Sequence, residues 1–221
     1  MEPFHQCLAL GLVAIYMFLL GVINLARRPL VVSGGRDAAA LGLAVSGLLF
    51  VGPMALLYPE SLAAHFGPAG AKFLGLTFIG LMAICLIMVF LVLRPRLIVY
   101  NISVDQLRPI LVEVVERMDP EARWAGDCVC LPGLGVQLHL ESSGWMRNVS
   151  LVSSGPKQDY QGWSRLGVEL AAALRSVETP WNLCGLMLLS AGNVLLLGLA
   201  WAIVRDPQAI ARTVFELLDM K

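Results

Sequence analysis

Apolar positions run without a single charge through four windows of 20 to 22 residues, at 7–26, 38–58, 73–93 and 182–203. A helix satisfies its own backbone hydrogen bonds, and about 30 Å of hydrocarbon takes roughly 20 apolar residues to cross. The pattern therefore predicts four transmembrane helices, at 7–26, 38–58, 73–93 and 179–204. Thr179 and Pro180 read as an N-cap and first helical residue for the last of them. Residues 59–67, bounded by Pro59 and Gly67-Pro68, read as a short interfacial helix.

Between the third and fourth windows uniform apolarity gives way to periodicity. Leu97 to Tyr100 reads as a strand. Ser103 and Gln106 form a capping box, and Leu107, Ile110, Leu111, Val114 and Met118 then recur at helical spacing. Pro109 inside that run allows a later start, and Asp119-Pro120 ends it. Val136, Leu138 and Leu140 alternate with Gln137, His139 and Glu141, and Trp145 to Ser153 answers as a hairpin partner. Trp163, Leu166, Leu170, Leu174 and Val177 mark a second helix. Residues 97–178 thus predict a small α+β domain, an antiparallel sheet with two helices on one face. The fold class expected is a multi-pass α-helical membrane protein with this domain inserted between helices three and four. Residues 205–221 read as an amphipathic C-terminal helix, with Ile210, Val214, Leu217 and Leu218 on one face.

Composition agrees with a bilayer setting. The chain is 57% hydrophobic and 14% charged, with a mean hydropathy of +0.74 and no net charge, whereas soluble domains carry about 25% charged residues. This excludes a disordered tail and a basic nucleic-acid arm, so no nucleic-acid partner is expected. Arg27, Arg28, Arg36, Arg94 and Arg96 flank the early windows, and cationic flanks stay inside. The expected topology has the N-terminus outside and 97–178 cytoplasmic. Residues 1–6 hold no basic residue and no small-residue cleavage pattern comes after them, so the first window is read as retained. Thirteen Arg against three Lys point to a GC-rich bacterial coding sequence and an inner (plasma) membrane.

Candidate chemistry is sparse. Cys128 and Cys130 share a strand face that His139 can neighbour, but zinc needs three or four ligands, and neither CxxC nor a His pair is present. Core cysteines are the simpler reading. No GxSxG, HExxH or phosphate loop occurs. No catalytic residue, metal or cofactor is assigned. His65 near Glu60 reads as interfacial polarity, and the turn Ser33 to Asp37 as a topology-setting loop. The spans hold no acidic residue, basic residue or histidine, which argues against ion coupling. Asn193 is the costly polar group there, used for an interhelical hydrogen bond, while Gly185 and Gly192 permit close helix packing.

The function expected is a non-enzymatic anchor or scaffold in the lipid bilayer, presenting 97–178 to a protein partner, with homo-oligomers allowed. The alternatives are a transporter or channel subunit with Asn193 and Asn24 on a polar path, and a membrane-associated enzyme using His139 and Glu141 on the wet sheet face.

Overall fold

The computed structural model describes residues 3–57, 60–143, 146–156 and 158–208. Among them are six α-helices and one six-stranded antiparallel sheet, in the order α1 (Pro3–Leu25), β1 (Leu30–Ser33), α2 (Gly34–Leu57), α3 (Glu60–Val92), β2 (Arg96–Tyr100), α4 (Val104–Met118), β3 (Arg123–Ala125), β4 (Cys128–Leu131), β5 (Val136–Ser143), β6 (Asn148–Ser153), α5 (Tyr160–Leu174) and α6 (Leu183–Arg205). The chain divides into two compact units, one of Met1–Phe18, Ala40–Val92 and Ser190–Lys221, the other of Leu19–Ala39 and Leu93–Leu189.

The expected four-span, multi-pass architecture is overturned. Among the described residues one helix, Leu183–Arg205, is long and apolar enough to cross a membrane, while Ala9–Leu25 and Leu76–Val89 are shorter apolar helices. These two are the apolar stretches of α1 and α3. The helix over the second window begins earlier than expected, at Gly34, so Arg36 and Asp37 lie in its first turn. The interfacial segment expected at 59–67 is, from Glu60 on, continuous with α3, a single helix of 33 residues. The amphipathic helix expected at 205–221 lies, from residue 209, outside the described residues.

The α+β unit draws on more than 97–178. Its sheet runs β1-β2-β6-β5-β4-β3, so its edge strand β1 comes from between the first two helices, where a charged loop was expected. Leu30 pairs with Tyr100 and Ser33 with Leu97, which covers an otherwise open edge of β2. Strand alternation then sorts the two faces. Leu97, Val99, Val149, Leu151, Leu140, Leu138 and Val129 point to the side where Leu107, Leu111 and Val114 of α4 and Trp163, Leu166 and Leu170 of α5 complete the core.

Local sequence sets the helix ends. Ser103 caps α4, its N–H donating to Gln106 Oε1 at 3.4 Å, and Pro109 is carried inside the helix rather than starting it. Asp119 ends α4 and is buried, its carboxylate accepting from Gly133 N–H at 2.7 Å and Glu121 N–H at 3.1 Å. Asp159 caps α5 by accepting from Gln161 and Gly162 N–H.

Candidate functional site

The most elaborated polar structure of the α+β unit is the junction where α1 leaves it, α2 begins and α6 departs. Asn101 comes directly after β2, is fully buried, and has φ 60°, a left-handed conformation that Asn tolerates better than most residues. Its Nδ2 donates to the Ala26 carbonyl at 2.5 Å and to Thr179 Oγ1 at 2.9 Å. The Thr179 N–H donates to the Arg27 carbonyl at 2.9 Å. Two carbonyls at the exit of α1, which no intrahelical donor can reach, are thus satisfied by groups that precede α6.

A second tie holds the start of α2. The Asp37 carboxylate accepts from the Tyr100 hydroxyl and from the Arg96 guanidinium, the latter at 3.4 Å. Gly34 passes so close to the Arg96 side chain that a Cβ there would collide with it. A third tie runs from the β5–β6 turn to the start of α6. Asn182 Nδ2 donates to the Met146 carbonyl at 3.1 Å, and Arg147 donates to the Pro180 carbonyl at 3.2 Å. Asn182 also accepts from the Cys184 N–H at 3.0 Å, so it caps α6, and Thr179, expected as the cap, is engaged with α1 instead.

The residues singled out by sequence do not gather at one place. Arg27, Arg28, Arg36 and Arg94 are exposed, and Arg96 is held by Asp37. Gly185 lies against Asn24, where a Cβ would come within 2.9 Å of the Asn24 backbone. Gly192 lies against Ala14 and Phe18, with a Cβ 2.8 Å from the Phe18 nitrogen. Asn193 is exposed. On the open sheet face Cys128 pairs across the strands with His139, Sγ and Nδ1 3.4 Å apart, while Cys130 pairs with Gln137. Among the described residues no group of three or more His, Cys, Asp or Glu is arranged to hold a metal. All five cysteines are free thiols, and Cys128 and Cys85 are exposed, not in a core.

Over the helix layer, Arg117, Met118, Leu134, Ser164, Arg165, Val168 and Glu169 line a shallow groove of about 520 Å³ between α4 and α5. Val168 is 65% exposed and Tyr160, on the same helix, 71%.

The junction residues Asp37, Tyr100, Asn101 and Asn182 escaped the sequence reading. The one signal was the Tyr100-Asn101 pair, a polar stop at the end of an otherwise apolar strand. No protein-family model matches the chain, and comparison with curated proteins and with solved structures finds no match.

Proposed function

We propose that the chain is a non-enzymatic membrane-attached protein that holds its α+β unit at the N-terminal end of α6 and presents it to a protein partner. The observation that carries this reading is the junction. Asn101, Thr179 and Asn182 fasten the first residues of α6 to the unit by hydrogen bonds from buried side chains, so the unit passes into α6 through tied residues rather than through a flexible linker. Anchoring of this kind raises the local concentration of a binding surface.

Membrane attachment is supported by α6 itself. Only 11% of its apolar window is buried, which a core helix of a soluble protein would not tolerate. Trp181 and Trp201 stand exposed near its two ends, as indoles do at headgroup level. Arg27 and Arg28, both exposed, adjoin its start through the Thr179–Arg27 hydrogen bond. By the positive-inside rule this favours the α+β unit on the cytoplasmic side, in a bacterial inner membrane. The groove between α4 and α5, with apolar Val168 beside Arg117 and Arg165, is the surface best suited to a partner.

Affinity purification of the full chain from detergent-solubilised membranes tests this, with wild type compared against Val168→Glu. A protein recovered by wild type and lost from the variant is expected. Identical recoveries, or release of the full chain from membranes by alkaline carbonate, would sink the reading.

A further inference from the structure

We propose that α6 carries a self-association seam centred on Asn193, whose occupant is α6 of a second copy of this chain. The inference rests on the reading of α6 as membrane-inserted. Ser190, Asn193, Leu197, Ala200 and Val204 recur at alternating spacings of three and four residues, the repeat that keeps one stripe facing a partner helix. All five are exposed, Leu197 at 69% and Val204 at 74%. The neighbouring face is already taken, because Gly192, about 100° round the helix from Asn193, lies against Ala14 and Phe18 of α1.

Among the described residues the Asn193 carboxamide has no hydrogen-bond partner, although it stands near the middle of the one helix able to span a bilayer. Lipid tails offer neither donor nor acceptor, so a carboxamide at that depth gains from another helix. A carboxamide is both donor and acceptor, and therefore complements itself. Copies of one chain enter a membrane in the same orientation, so two α6 helices lie parallel and a heptad seam sets Asn193 opposite Asn193 about a two-fold axis. A single Asn in such a seam also fixes register and copy number.

The test uses the full chain with its five native cysteines replaced by serine, reconstituted in phosphatidylcholine–phosphatidylglycerol vesicles. Single cysteines are introduced as Leu197→Cys on the seam and Gly198→Cys off it, where a Cβ meets nothing within 4 Å. Mild oxidation should cross-link the first into a dimer at least about fivefold more than the second, equivalent to ~1 kcal/mol at 1.4 kcal/mol per decade. Adding Asn193→Leu should abolish that preference and Asn193→Gln should retain it. Equal cross-linking at the two positions, or no effect of Asn193→Leu, overturns the seam. Carbonate extraction of the same vesicles separates the two failures. A chain that stays inserted without cross-linking refutes the seam alone, and a chain that is released refutes the seam and the membrane reading together.

Discussion

Asn101 spends its side chain on two distant segments, Ala26 and Thr179, while its backbone takes a left-handed φ and its N–H donates to Asn148 Oδ1 at 3.2 Å. The two demands can be separated by substitution. Asn101→Ala removes the buried hydrogen bond to Thr179 Oγ1 and the part-buried one to the Ala26 carbonyl, and also forces a Cβ-bearing residue without a polar side chain to hold φ 60°, so a loss of about 3 kcal/mol is expected. Asn101→Gly loses the same hydrogen bonds but relaxes the backbone, and should be less destabilised by ~1 kcal/mol. Thermal unfolding of the full chain in detergent, monitored by tryptophan fluorescence, checks the order, and an alanine variant as stable as glycine refutes the account. None of this was legible in the sequence. Asn101 sits beside residues that are its neighbours only once β2, α1 and the segment before α6 have met, and a local pattern carries no information about a partner 75 positions away.

Elements were legible in proportion to how locally they are determined. The amphipathic α4 and α5, the alternation of β5 and the cap at Ser103 arise from spacing and from groups within a few residues. The strand β1 does not. Leu30–Ser33 is too short to show alternation and earns its place by pairing with β2 across almost seventy residues of chain. Helix starts were less legible than composition, since a charge-free window from residue 38 does not show that α2 begins at Gly34. The cysteines expected in a core divide by strand face, and Cys128 on the open face meets His139 rather than core side chains. Glycines in helices separate in the same way, by the atoms that lie opposite them. A Cβ at Gly192 would reach within 2.8 Å of the Phe18 backbone, whereas one at Gly198 meets nothing within 4 Å. Gly192→Ala should therefore lower stability by about 1–3 kcal/mol through forced separation of α1 and α6. Gly198→Ala should raise it by up to ~1 kcal/mol, because alanine is the better helix former. Detergent melts of the two variants should move in opposite directions, and shifts of the same sign would show that the α1–α6 contact does not limit stability.

At the scale of the whole chain, the α+β unit is assembled from Leu19–Ala39 and Leu93–Leu189, so residues 97–178 do not contain the whole sheet. Cut out by themselves, they leave β2 without its edge partner and expose a row of unpaired backbone groups, the usual template for strand-to-strand association. The register supplies the remedy. Ser33 lies directly opposite Leu97 in an antiparallel pair, so the 63 residues from Gly34 to Arg96 can be replaced by Asn-Gly, which turns a chain through a two-residue hairpin of matching twist. A protein of residues 26–33, Asn-Gly and 97–180 keeps β1, the core of α4 and α5, and the Asn101 ties to Ala26 and Thr179. It gives up the Asp37–Arg96 pair, which is partly exposed and worth about 1 kcal/mol or less. The joined protein should be monomeric by size-exclusion chromatography with light scattering and should melt in one cooperative transition, while 97–178 should elute as higher-order species. Two fragments that behave alike would mean that β1 is a passenger on the sheet rather than the strand that closes it.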